Sequence, residues 1–320
     1  MSDKTVVVAA HGHCFDGVSS AALFTALRRA LGGGALDFRY RSCGYAPTMR
    51  VVPESWLVGD ENAIVDFRYS PSKRLSWYFD HHATAFGSDE EREAALQDSE
   101  RRFFDPSYGS CTKLVADVAT ARFGVDLASF AALVSWADRI DSARFASAAA
   151  AVDRSEPVLQ LASVVEQHGE GELYRQLVPL LLRDPLDQIA RSDYIQQRWT
   201  PIAQARRGCY ELFRERSRRQ GEVILVEAAD APLGTSGKFF TYALFPDSLY
   251  SVTLTRMKQH LKISVGYNPW APRPRGHDIA ALCRRYGGGG HAMVGALTLP
   301  WGEIDRARQI AAEIVAELNH

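Results

Sequence analysis

The sequence predicts an α/β protein: a mainly parallel sheet flanked by helices, followed by a smaller α+β C-terminal domain. Three observations carry that expectation. Short apolar runs alternate with helix-spaced patterns through the first half, the order expected of strands joined by helical crossovers. Ligand-type side chains recur where those runs end, and parallel sheets bind ligands beyond the carboxyl ends of their strands. Composition then shifts at Gly221, after a stretch dense in arginine, and new strand patterns begin.

Thr5–Ala10 reads as a buried strand and Val18–Leu31 as the helix after it. Leu36–Arg41, Ala63–Asp66 and Leu75–Phe79 read as further strands. Apolar spacing predicts helices over Tyr108–Phe123 and Leu127–Ala137, and residues 145–185 are Ala/Leu-rich and helical in pattern. These residues, 1–185, form the expected first domain. Residues 186–220 form a helical linker with arginines at 191, 198, 206, 207, 214, 216, 218 and 219, which Pro201 is placed to kink or interrupt. A solvated helix face accounts for those arginines better than a nucleic-acid track. In the expected second domain, 221–320, strands are predicted over Glu222–Val226, Leu249–Arg256 and Leu261–Val265, and helices over His277–Tyr286 and Trp301–Leu318.

Length and composition exclude several classes. At 320 residues two domains are expected. A net charge of −1 gives no overall field for long duplex nucleic acid. The five cysteines form no CxxC pair, so neither a zinc ribbon nor a disulfide framework is suggested. No stretch has the length and apolarity of a membrane span, and the N-terminus lacks a signal-peptide pattern, so a reducing cytoplasmic setting is expected.

Four separated segments offer metal-ligand chemistry: His11-Gly12-His13-Cys14-Phe15-Asp16-Gly17, Asp66, Asp80-His81-His82 and Trp136-Ala137-Asp138-Arg139-Ile140-Asp141. Neutral imidazole and carboxylate together suit Mn, Zn or Fe. Two cations about 3.5–4 Å apart need several such groups converging from different segments. A carboxylate with two oxygens must bridge them, and Asp66 is the choice for that place. Each segment alone has a plainer reading: loop histidines with a capping aspartate, a strand-end turn aspartate, a helix-terminal ion pair for Asp138. Their joint occurrence favours the metal reading. A fifth segment, Tyr286-Gly287-Gly288-Gly289-Gly290-His291, follows a helix. Successive glycines bring backbone N–H groups close to an anion, and His291 adds a donor; the plainer reading is a turn between helix and strand.

The Asp80-His81-His82 triplet and the GGGGH run, in this order and about two hundred residues apart, resemble the DHH phosphoesterase superfamily, in particular the branch with a DHH-associated C-terminal domain that includes oligoribonucleases and 3′-phosphoadenosine nucleotide phosphatases. The resemblance spans His11 to about Gly295. It implies a hydrolase of phosphoric ester bonds in which two metal ions activate water, Mn2+ first with Fe, Zn or Mg as alternatives, and an active site in the cleft between the domains. Position by position it implies metal ligation by Asp66, His81 and Asp138, with Asp141 competing with Asp138, and His11, His13 and Asp16 completing the set. Asp80 and His82 would give catalytic support, and Arg256, Gly288, Gly289, Gly290 and His291 would bind substrate phosphate. The first motif departs from the family pattern, in which two aspartates separated by one residue follow the histidine. Either His13 replaces an aspartate, or one metal position is weakened.

The expected substrate is a short oligonucleotide or a linear or cyclic dinucleotide. A 3′-phosphoadenosine nucleotide or pyrophosphate is the alternative, and a nucleotide-binding module with a degenerate metal site is the non-enzymatic one. A homodimer is compatible with the sequence.

Overall fold

The structure, a computed structural model, describes residues 4–44, 51–233, 235 and 237–320, apart from the side chains of Pro232 and His291. The chain forms two compact units, Met1–Arg144 with Arg154–Trp199 and Phe145–Asp153 with Thr200–His320. In chain order the elements up to the middle are β1 (Lys4–His11), α1 (Phe15–Ala30), β2 (Leu36–Cys43), β3 (Glu61–Val65), β4 (Trp77–Asp80), α2 (Asp89–Leu96), β5 (Arg102–Phe104), α3 (Cys111–Phe123), α4 (Ala131–Asp141), α5 (Ala148–Val152), α6 (Pro157–His168), α7 (Gly171–Arg183), α8 (Leu186–Arg191) and α9 (Asp193–Arg216). There follow β6 (Ser217–Gln220), β7 (Val223–Pro232), α10 (Phe240–Leu244), β8 (Tyr250–Arg256), β9 (Leu261–Tyr267), α11 (Ile279–Arg284), β10 (Gly289–His291), β11 (Val294–Leu299) and α12 (Ile304–Leu318).

In the first unit five strands run in the order β2-β1-β3-β4-β5, and every pairing is parallel. The side chains of β4 show why the sheet is covered on both faces. Trp77 and Phe79 point to one face, where Phe24 of α1 meets their rings at 5.9 and 6.0 Å. Tyr78 points to the other, against Tyr69 and Phe86. Such two-sided burial makes parallel strands read as continuous apolar runs rather than alternating ones. The chain leaves β1 for β2 on one side and returns to β3 on the other. The carboxyl ends of β1 and β3 therefore flank the switch point, where an open α/β sheet has its binding crevice.

The second unit holds a mixed six-stranded sheet, β10-β11-β9-β8-β7-β6, with only β7 and β8 parallel. One face packs Val252, Leu254, Ile263 and Leu297 against Leu282 of α11 and Ile314 of α12. The other packs Ile224 and Val226 against Phe213 and Phe240.

Pro201 lies inside α9 without ending it. Of the eight arginines between 186 and 220, four form surface ion pairs among the described residues: Arg191 with Asp187, Arg214 with Glu211, Arg216 with Asp230 and Arg219 with Asp247. Arg206 departs from the expected solvated face: it is buried, with its guanidinium 5.0 Å from the Phe240 ring. Arg218 and Arg219 belong to β6 rather than to a helix. Among the described residues no helix is long and apolar enough to cross a membrane.

Candidate metal centre

The sheet of the first unit brings three chain segments to one edge. β1 ends at His11, and the chain turns through His13, whose φ is 55°, into α1. Gly17 is required at this turn, because a Cβ there would collide with the His11 carbonyl. β3 ends one residue before Asp66, which takes a left-handed φ of 56° that aspartate tolerates better than most residues. The Asp66 N–H still donates to the Phe79 carbonyl at 2.9 Å, so the residue stays tied to β4. β4 delivers Asp80, His81 and His82.

Asp16, in the first turn of α1, is fully buried, and its position is set from across the unit. Its Oδ2 accepts the Cys111 N–H at 2.7 Å and its Oδ1 the Thr112 N–H at 2.9 Å. These are orphan donors at the start of α3, and Ser110 Oγ takes the next, from Lys113. A helix N-terminus favours such a carboxylate by about 0.3–1 kcal/mol, and up to about 2 when partly buried.

Asp80 and Asp66 are neighbours with opposite accounts. Asp80 Oδ1 accepts from the His81 N–H at 2.8 Å, the His82 N–H at 3.3 Å and His82 Nδ1 at 2.8 Å, and its Oδ2 accepts from the Tyr78 hydroxyl at 3.1 Å. Asp66 is equally buried, yet neither of its carboxylate oxygens receives a hydrogen bond. His81 Nε2 lies 3.5 Å and His82 Nδ1 3.7 Å from Asp66 Oδ1, and His11 Nδ1 lies 3.8 Å from Oδ2.

The proton on His81 is assigned by its partner. Nδ1 sits 3.0 Å from the Tyr108 carbonyl, which can only accept, so Nδ1 carries the hydrogen. In the neutral ring Nε2 then presents a lone pair, and three carboxylates face it: Asp141 at 3.4 Å, Asp66 at 3.5 Å and Asp16 at 3.8 Å. A lone pair facing carboxylates is repulsive, and a proton on Nε2 or a cation among them relieves it. This is the arrangement in which a histidine, fixed through its other nitrogen, ligates a metal. The donor groups form three overlapping sets whose ligand atoms lie within 4.8 Å of one another: Asp66, Asp80, His81 and His82; His11, Cys14 and Asp66; and Asp16, His81 and Asp141. Asp66 and His81 each belong to two sets. Carboxylate and imidazole donors fit Mn, Fe or Zn.

The electrostatics of Asp66 show a shortage of positive charge, and those of His11 a neutral ring. Burial, and then the charge of Asp16, push the Asp66 carboxyl well above its ordinary range. Burial, and then the charge of His82, pull His11 down to about 4. Burial also lowers His82, but the hydrogen bond to Asp80 and the charges of Asp66 and Asp80 outweigh it and hold the ring up at about 9.

Of the two aspartates at the end of α4, Asp141 faces His81, while the Asp138 carboxylate is held by Arg144 and accepts from Ser110 Oγ at 3.4 Å. His13 joins none of the three donor sets. Its Nδ1 donates to the Glu166 carbonyl at 3.0 Å and its Nε2 lies 3.5 Å from Glu170. Cys14, which sequence reasoning did not choose, stands with His11 and Asp66. The one signal for it was its position two residues before Asp16, where the family pattern has the first of its two aspartates.

In the second unit the glycine run is less open than expected. The N–H groups of Gly287 and Gly288 donate to the Arg284 and Cys283 carbonyls, and Gly289–His291 form strand β10 against β11. A Cβ at Gly288 or Gly290 would collide with the Ala296 or Val294 carbonyl, whereas one at Gly289 would meet nothing. The side chain of His291 lies outside the described residues. Arg256 ends β8 with its guanidinium 4.7 Å above the Trp301 ring.

No family model and no curated protein matches the chain. Solved structures do. The pGpG-specific phosphodiesterase PggH from Vibrio cholerae matches with a TM-score of 0.70 and 17% identity, over 99% of each chain. RecJ from Thermus thermophilus in complex with Mn2+ matches with a TM-score of 0.62 and 13% identity, over 98% of this chain and 52% of RecJ. The DHH domain of a protein described as a member of a ribosomal-protein family matches with a TM-score of 0.63 and 13% identity, over 99% of this chain and 88% of that one. The chain thus has the fold of the DHH-domain phosphoesterases.

Proposed function

We propose that the chain is a metal-dependent phosphodiesterase of short nucleotides, linear dinucleotides first. The observation that carries this reading is Asp66, a fully buried carboxylate with two unpartnered oxygens, ringed by His11, His81 and His82. An unpartnered buried polar group costs about 1–3 kcal/mol and a charged one more, so its retention points to a ligand. PggH is described as pGpG-specific and is matched over its whole length, which supports a dinucleotide-sized substrate.

The ligands would be His11, Asp16, Asp66, His81 and Asp141. Bound divalent ions supply water activation and neutralise charge on the phosphate oxygens. The chain's own groups do the rest. Tyr108 fixes the His81 tautomer, and α3 holds Asp16. Asp80 holds His82 through Nδ1, leaving Nε2 to pass a proton to a leaving oxygen. Gly289, Gly290, His291 and Arg256 remain the proposed phosphate contacts, with Mn2+ the first metal to test.

The test is hydrolysis by metal-stripped protein, with Mn2+ restored, of a linear dinucleotide, a cyclic dinucleotide, longer oligonucleotides, a 3′-phosphoadenosine nucleotide and pyrophosphate. Fastest release of mononucleotide from the linear dinucleotide is expected. Turnover of pyrophosphate alone, or tight dinucleotide binding without turnover under any divalent ion, would overturn the reading.

A further inference from the structure

We infer that Cys14 Sγ is a metal ligand, so that the position it shares with His11 and Asp66 takes a borderline-soft ion such as Zn2+, Fe2+ or Co2+ in preference to Mg2+. The inference rests on the reading of the cluster as a metal centre and goes one step further, to the chemistry of one of its positions.

Cys14 is the residue before α1, yet its side chain does not cap that helix. It turns instead into the acidic cluster, where Sγ lies 4.0 Å from Asp141 Oδ1 and within 4.8 Å of donor atoms of His11 and Asp66. A weak S–H donor among carboxylates gains little by being there. A thiolate beside a cation gains much, because coordination removes the thiol proton outright. The second, independent observation is Asp66 itself, whose two buried oxygens lack donors at this same place.

The other four cysteines have ordinary surroundings. Cys43, Cys209 and Cys283 lie in apolar clusters, and Cys111 donates to the Phe79 carbonyl at 3.3 Å. His13, the nearby nitrogen donor, is engaged with Glu166 and Glu170. A donor set of imidazole, thiolate and carboxylate is softer than one built of aspartates, and softness selects among divalent metals where raw affinity does not.

The experiment is cobalt substitution of the full chain. Metal-stripped protein is loaded with Co2+, its metal content is measured, and the near-ultraviolet spectrum is read for sulfur-to-cobalt charge transfer. The wild type should bind cobalt and show the band. Cys14→Ser should keep the far-ultraviolet circular dichroism and lose the band. Cys14→Asp should bind Mn2+ and lose Zn2+ affinity by more than the roughly 10–100-fold that follows loss of an outer hydrogen-bonding partner. Cobalt bound by the wild type without the band overturns the thiolate ligand and leaves the metal centre standing. No cobalt bound overturns both. A band that persists in Cys14→Ser assigns the sulfur to another cysteine and also overturns the inference.

Discussion

The ends of β3 and β4 lie side by side, and each presents a buried aspartate, but the two carboxylates are treated in opposite ways. Asp80 is saturated: two backbone N–H groups, an imidazole and a tyrosine hydroxyl converge on it. Asp66 has no donor at all and is approached by three imidazoles. The difference separates structure from function within one pair of strands. A satisfied buried carboxylate holds its neighbours in place, whereas an unsatisfied one is a cost that the fold carries for a ligand.

Asp66→Asn should break the comparison most visibly. Asparagine keeps the shape and accepts the left-handed backbone, so the fold survives. Mn2+-dependent hydrolysis should fall by at least about 10²–10³-fold, the range for losing one preorganised electrostatic contact. The same change should stabilise the metal-free protein by roughly 1–3 kcal/mol, because a buried charge without donors is gone. The sign follows from the raised carboxyl: above its ordinary value of 3.8 the unfolded chain ionises while the folded one resists, so the gain grows with pH. Denaturant titrations at two pH values would check it, and an equal loss of stability at both would refute it.

Asp80→Ala should do the reverse. It strands the His82 ring, two backbone N–H groups and the Tyr78 hydroxyl, and stability should drop by about 3–5 kcal/mol, the cost of breaking a buried pair. A variant as stable as the wild type would show that Asp80 is not the anchor of the triplet.

Asp141→Asn should weaken metal binding, as judged by calorimetric titration. Asp138→Asn should leave metal affinity unchanged and remove one partly exposed ion pair with Arg144, for about 0–1 kcal/mol. Equal effects of the two would erase the assignment.

His82→Gln gives a smaller, pH-dependent effect. The folded-state value of about 9 lies above the ordinary 6.5, so the stability from the charged ring is fully present below 6.5 and is lost as pH rises through 9. Metal-free wild type should weaken across that window, and the glutamine variant should be flatter. The smallest expected effect belongs to the second sheet. Gly289→Ala should not alter stability, because its Cβ meets nothing, but should raise KM if that backbone touches substrate phosphate. An unchanged KM would remove Gly289 from the proposed contacts.

Much of this architecture was legible in the sequence, for physical reasons that differ by region. The parallel strands were visible because burial on both faces makes them continuous apolar runs, and the triplet was visible because ligand-type residues ended such a run. β5 was missed because Arg102–Phe104 is three residues long and carries a charge; β6, Ser217–Gln220, reads as a continuation of the arginine-rich helix. Asp138 and Asp141 could not be separated by spacing, since residues three apart share a helix face. The ion pair with Arg144, a tertiary fact, distinguishes them. His13 was chosen for its chemistry, but its direction depends on the 166–170 segment, more than 150 residues away. Cys14 has no paired cysteine to mark it in the sequence, and a lone cysteine at a strand-to-helix turn becomes informative only with its neighbours in place.

We propose that the carboxyl edge of the first sheet is a two-metal site built on Asp66. Calorimetric titration of metal-stripped protein with Mn2+, wild type beside Asp66→Asn, tests that directly. Two ions per chain in the wild type, with that binding lost in the variant, is the expected result; equal binding by both proteins would contradict it.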